Sequence, residues 1–164
     1  GKFYPKNERE RSNVDQWLFW QMGGLGPMAG QAHHFRMYAP QFTKEKLTYS
    51  KKRYTNEVNR LYGVMNKQLR KNDYLAGRYS IADMACWGWI LPSKISTKMQ
   101  GQKLKEFPHL FKWFEKVGAR PAVQKGLDVG KVMRMLAKAS RSGLSEKTKE
   151  AKKARSLLFN QKAR

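Results

Sequence analysis

One cysteine in 164 residues, Cys86, excludes an internal disulfide framework and a cysteine-rich metal site. It leaves a reducing compartment as the default. Apolar runs are short throughout, and none approaches the ~18–20 residues that a membrane-spanning helix needs. Nor is there an amphipathic anchor with a strong apolar face, so no membrane contact is expected. Alternating apolar and polar stretches bounded by hairpin turns are missing, which argues against a sheet. Glycines cluster at 23, 24 and 26, but no strand pattern precedes them and no Lys-Ser or Lys-Thr follows, so a phosphate-cradling P-loop is excluded. Signatures of RNA-recognition-motif, KH and zinc-knuckle modules are also missing, so base-specific readout has no support.

Negative charge is scarce as well. Twelve Asp and Glu stand against 34 Lys and Arg, giving a formal net charge of +22 and a pI near 10.3. The excess is spread: residues 31–129 hold 19 basic and 7 acidic side chains, and residues 130–164 hold 11 and 2. A basic body as well as a basic tail points to a polyanionic partner touched over a broad surface. Position 1 is Gly rather than Met, which suggests a processed, trimmed or fragmentary chain, a removed organelle targeting peptide being one explanation.

What is present is helical periodicity and aromatic mass. Most of the five Trp, seven Tyr and eight Phe fall before residue 115, which places the packed core there. A first helix is expected after Ser12, with Asp15 as a capping-box-like partner. The glycines with Pro27 should kink it, and close helix approach is the simplest reason to keep them. A second helix from about 43 to 71 puts Tyr54, Val58, Leu61, Met65 and Leu69 on one apolar stripe. Asn72-Asp73 and Gly77 read as a turn. Ser80 and Asp83 form a reciprocal cap opening a buried helix, with Tyr79 and Met84 as its staple and Asp83 structural rather than catalytic. Cys86 reads as a small buried apolar residue. A further helix starts at Pro108 and buries Leu110, Phe111, Trp113, Phe114 and Val117. The adjacent His33-His34, lacking Cys or carboxylate at metal spacing, is a helix-end pair, so no metal is expected.

The stretch QWLFWQMGGLGPMAGQAHHF, residues 16–35, is the most specific motif. With Lys52-Arg53-Tyr54, Arg60-Leu61-Tyr62-Gly63-Val64, Tyr79 through Cys86 and Arg120-Pro121-Ala122-Val123, it resembles the C-terminal domain of glutathione transferases, in particular the bacterial Nu-class, disulfide-reductase-like branch. The resemblance covers roughly residues 8 to 130 and implies an all-α glutathione transferase C-terminal-like bundle. It implies that Arg53 matches the basic residue that reaches bound glutathione in that branch, often across a dimer interface; here it is weighed against a plain surface arginine and taken as a vestigial contact. Trp17, Trp20 and Gln21 match positions along the family's first helix. Nothing in the chain resembles the family's thioredoxin-like N-terminal domain, which holds most of the glutathione site.

The expected organisation is an N-terminal arm over 1–11, the helical domain over 12–130 and a basic helical extension over 131–164. Candidate phosphate contacts are Lys51, Lys52, Arg53, Lys67, Arg70 and Lys71 on the second helix. In the extension they are Lys131, Arg134, Lys138, Arg141, Lys149, Lys152, Lys153 and Arg155. Charge and the missing half together predict a non-catalytic ribonucleoprotein component without a cofactor, most concretely a mitochondrial ribosomal protein of the matrix. Its partners would be rRNA phosphates and neighbouring ribosomal proteins, with a protein or a second copy covering the surface left by the missing domain. The alternatives are a C-terminal fragment of a glutathione-dependent transferase or disulfide reductase, and a protein-binding scaffold domain of a translation complex.

Overall fold

Asn7, not Ser12, starts the first helix of the computed structural model, which describes residues 1–129. The Asn7 backbone is extended and its side chain accepts from the Glu10 amide at 3.1 Å, while Glu8 and Glu10 place negative charge at the positive end of the helix dipole. Helix α1 (Glu8–Trp20) therefore opens one turn earlier than its apolar pattern suggested. Asp15, freed from capping, accepts from the Tyr4 hydroxyl at 2.9 and 3.0 Å. The Phe3 carbonyl accepts from the Ile81 amide, so the first residues are stitched to the body.

The glycine cluster does not break the helix. Gln21–Leu25 form a π-helical turn that carries α1 into α2 (Gly26–His33), with Pro27 the second residue of α2, directly after the widened turn. Close approach is the reason for at least one glycine. A Cβ on Gly26 would lie 2.8 Å from the Gln21 Nε2 and 3.2 Å from the Trp89 ring. A second π turn, His34–Tyr38, ends this run.

Helix α3 (Thr48–Leu69) buries Val58, Leu61, Met65 and Leu69 of the expected stripe together with Tyr62, while Tyr54, the stripe's first member, is half-buried and stacks on Phe35. It begins later than periodicity implied, because Leu47 takes a left-handed conformation at φ 51. The turn at 72–77 closes through Gly77, whose φ of 90 suits a residue without a Cβ. Helix α4 (Ile81–Ile95) follows and packs against α1 and α2; α5 (Thr97–Gln100) is one turn capped by Ser96. Helix α6 (Pro108–Gly118) buries Leu110, Trp113, Phe114 and Val117 and packs on α3, where Asn66 Oδ1 accepts from the His109 and Leu110 amides at 2.9 and 3.1 Å. Trp87 stacks on Phe114 with ring centroids 4.9 Å apart and donates to the Phe114 carbonyl.

Two compact units divide at Ala119/Arg120. Among the described residues the second consists of α7 (Pro121–Asp128), which starts on Pro121 after an extended Arg120. No strand occurs among the described residues, so the all-α expectation stands. The expected extension over 131–164 lies outside the described residues.

Gly26→Ala is expected to lower stability by about 1–3 kcal/mol through overpacking against Gln21 and Trp89. Gly23→Ala, with nothing within 4 Å of the added methyl, should be neutral or stabilising by up to about 1 kcal/mol. Urea denaturation of the two variants checks the contrast.

Candidate functional site

Asp83 sits at the centre of the domain, completely buried at the first turn of α4. One carboxylate oxygen accepts from the Leu75 amide at 3.0 Å and the Trp113 indole at 2.8 Å; the other accepts from the Ser80 amide at 3.0 Å and the Ser80 hydroxyl at 3.3 Å. The reciprocal cap is thus present, and it also ties the 72–77 turn and α6 to α4. Tyr79 takes a different place from the expected staple: its ring packs edge-on against Phe3 and Tyr74, while Met84 is exposed. Burial pushes the Asp83 carboxyl up, with its four donors pulling the other way. With every lone pair occupied, Asp83 is a structural group, out of reach of any substrate.

Cys86, one turn further along α4, is fully buried, and burial pushes its thiol up. A thiol kept protonated beneath the surface is no nucleophile. His33 ends α2 and His34 opens the π turn that follows, so the helical run continues past the pair; His33 stacks on Tyr38 at 5.1 Å, and His34 meets Phe35 edge-on at 5.2 Å with Tyr38 at 6.3 Å. Among the described residues no group of three His, Cys, Asp or Glu gathers at metal-binding distance, and no helix is long and apolar enough to cross a membrane.

Two surfaces lie on α1 and the start of α3, where the family resemblance places its ligand and partner contacts. The first is a groove of about 540 Å³ between α1, α3 and the 72–77 turn, lined by Trp17, Trp20, Gln16, Val64 and Gln68. Trp17 and Trp20 meet edge-on at 5.0 Å and form its aromatic wall. Beside it, Phe19 and Met22 are 79% and 68% exposed, which leaves an apolar surface uncovered in this chain. The second is the start of α3, where Lys52 and Arg53 are exposed and Lys51 half-buried. Arg53 precedes Val64 by eleven residues, about 17 Å along a helix, so it does not share the tryptophan groove.

Lys67, Arg70 and Lys71, the other basic residues singled out on α3, sit exposed at its far end. The sequence reading missed their companions, since Arg70 and Lys71 line a cleft with His109, Lys112 and Lys116 of α6. The i, i+3, i+7 spacing of those three was legible, but the contact between α3 and α6 that brings them to Arg70 was not. Lys131, Arg134, Lys138, Arg141, Lys149, Lys152, Lys153 and Arg155 lie outside the described residues.

Comparison with known proteins then decides the family. The family described as "Glutathione S-transferase, C-terminal domain" matches residues 32–127. The chain belongs to the glutathione S-transferase family. It is similar to the disulfide-bond oxidoreductase YfcG of Escherichia coli, 44% identical over 128 residues that cover 77% of this chain and 56% of that protein. The disulfide-bond oxidoreductase YghU of E. coli is 35% identical over 130 residues, covering 77% and 44%. A crystal structure of a glutathione transferase from Burkholderia graminis, with two glutathione molecules bound per subunit, matches with TM-score 0.69 and 34% identity, covering 78% of this chain and 53% of that one. The Nu-class, disulfide-reductase-like resemblance is therefore upheld, and this chain spans about half the length of the relatives it matches.

The same matches correct the expected function. These relatives are glutathione transferases and disulfide-bond oxidoreductases, and none points to a ribosomal protein, so the ribonucleoprotein reading is overturned, with rRNA and ribosomal proteins as its partners. The matrix localisation expected with it loses the argument that carried it. Because the relatives are transferase-like enzymes, the non-catalytic expectation has no support either. The physical error lay in reading a partner from net charge: a charge of +22 fixes the sign of the surrounding potential, not the molecule that answers it.

Asp83→Ala should cost about 2–4 kcal/mol, because the buried Leu75 amide and Trp113 indole lose their acceptor. A carboxyl raised on folding stabilises the native state most when protonated; its contribution is complete below the ordinary carboxylate range and is lost as pH rises through the raised value. Asp83→Asn should remove that stretch of pH dependence, as urea melts across about pH 4–8 would show.

Proposed function

We propose that this chain is the helical half of a glutathione-dependent enzyme that exchanges disulfides or transfers the glutathionyl group. The observation that carries the reading is the 44% identity to a disulfide-bond oxidoreductase over 128 residues, 77% of the chain. In this reading Arg53 supplies the charge that this half gives to glutathione. It is exposed on the first turns of α3, near Glu57, whose carboxyl is held low first by its hydrogen bond from Arg60 and only last by the field of Arg53. A guanidinium left free in this way is available to a carboxylate of the tripeptide, with which it can form two parallel charge-assisted hydrogen bonds.

The separation of Arg53 from the tryptophan groove gives the two surfaces different tasks. The groove and the exposed Phe19 and Met22 suit the packing of a thioredoxin-like half that supplies the redox chemistry. Arg53, about three turns away along α3, reaches glutathione held by another subunit of a dimer.

Arg53→Ala should weaken glutathione binding about tenfold while leaving the thermal midpoint unchanged, since the side chain is exposed. Arg53→Lys should recover only part, because a lysine keeps the charge and loses the paired bonds. Titration of the native protein with reduced glutathione, followed calorimetrically, measures this. Equal affinity in wild type and Arg53→Ala would remove Arg53 from the site.

A further inference from the structure

The cleft between the end of α3 and α6 has no role in glutathione binding as described above, yet it has the chemistry of an anion site. Leu69 and Trp113 form its floor, and Arg70, Lys71, His109, Lys112 and Lys116 surround it, with Asp73 the one carboxylate among its lining residues. Its volume is about 560 Å³. His109, Lys112 and Lys116 stand on one stripe of α6 at i, i+3 and i+7, facing Arg70 and Lys71 across the cleft. Lys116 is already engaged: it pairs with Asp73 at 3.0 Å and lies 4.5 Å from the centre of the Tyr74 ring. Among the described residues, Arg70, Lys71 and Lys112 have no carboxylate within ion-pair distance.

That arrangement is costly without an occupant. Arg70 and Lys71 answer the negative end of the α3 dipole, which explains two cations at that helix end. It does not explain why α6 turns Lys112 and Lys116 toward them, because like charges gathered around a concavity repel. A ligand with several negative charges reverses the sign of the whole sum. The walls also say what kind. With two apolar residues at the floor and cations around the rim, recognition is ionic, which disfavours an acyl chain or an aromatic drug-like molecule. Arginine's planar fork takes two oxygens of a tetrahedral anion, and the lysines act as point charges on the others.

We propose that this cleft binds a small, multiply charged phosphate compound, of the class represented by inorganic tripolyphosphate. The site is independent of the glutathione reading, since Arg70 lies seventeen residues beyond Arg53, about 26 Å along α3. Occupancy would clamp the 72–77 turn to α6, because the ligand would join the two elements that Asp83 already ties together.

The test is calorimetric titration of the 164-residue chain with sodium tripolyphosphate, at about 50 mM and about 300 mM salt, so that screening is read directly. Saturable binding is expected that weakens several-fold at the higher salt and tenfold or more in Arg70→Ala/Lys112→Ala. It should change less than twofold in Lys44→Ala/Lys46→Ala, which removes the same charge from exposed positions elsewhere. Orthophosphate should bind at least tenfold more weakly. Circular dichroism establishes that each variant is folded, and Lys71→Gln/Lys112→Gln replaces the first variant if it is not. Absence of saturable binding, equal loss in the cleft and control variants, or orthophosphate binding as well as tripolyphosphate would each overturn the proposal.

Discussion

The helical domain depends on one buried carboxylate. Asp83 collects donors from the turn before α4, from the cap residue of α4 and from the indole of α6, so three segments separated by up to 38 residues share one acceptor group. A charge buried this deeply would be expensive alone; here each donor offsets part of its lost hydration. The apolar residues then pack around a fixed point. Trp87 stacking on Phe114, and the Tyr62, Ser93 and Gln100 side chains joined by 2.9 Å hydrogen bonds, continue the same pattern, in which the buried side-chain polar atoms among the described residues have partners. This explains why α4 is both the most apolar helix and the best capped.

Around that centre the fold keeps its second constraint, the passage of α1 into α2. A π turn absorbs the glycines and brings α2 against the Trp89 edge of α4. The same turn leaves Phe19 and Met22 outward beside the Trp17–Trp20 wall. Packing and surface are thus set by one segment, the one whose residues carry the family resemblance. Among the described residues the buried thiol of Cys86 and carboxylate of Asp83 are structural, and what the surface offers a ligand is aromatic area and positive charge.

Much of this was legible in the sequence because the signals were local. The Ser80–Asp83 cap, the stripe of α3 and the start of α6 at Pro108 each follow from a few neighbouring residues. The start of α1 was misplaced because Asn7 lies before the apolar periodicity begins, so its capping geometry left no mark on the pattern. The π turns were invisible, since glycine and proline read as breaks unless the surrounding helices are known to require continuity. The basic cleft needs α3 and α6 side by side, a long-range contact that periodicity does not encode. Function was misread for a different reason. Net charge sets only the sign of the surrounding potential, whereas the twenty ordered residues 16–35 specify a family far more narrowly than a count of lysines.

Under the proposed function this helical domain serves glutathione chemistry, with Asp83 holding the scaffold and the α1 and α3 surfaces meeting the rest of the site. The direct measurement is glutathione-dependent reduction of a small disulfide, bis(2-hydroxyethyl) disulfide, by the full-length protein in which this helical domain is joined to the thioredoxin-like half that the proposed function assigns to it. Turnover that saturates with glutathione and survives ribonuclease treatment unchanged is expected. A folded protein that gives no rate above the uncatalysed exchange would contradict it.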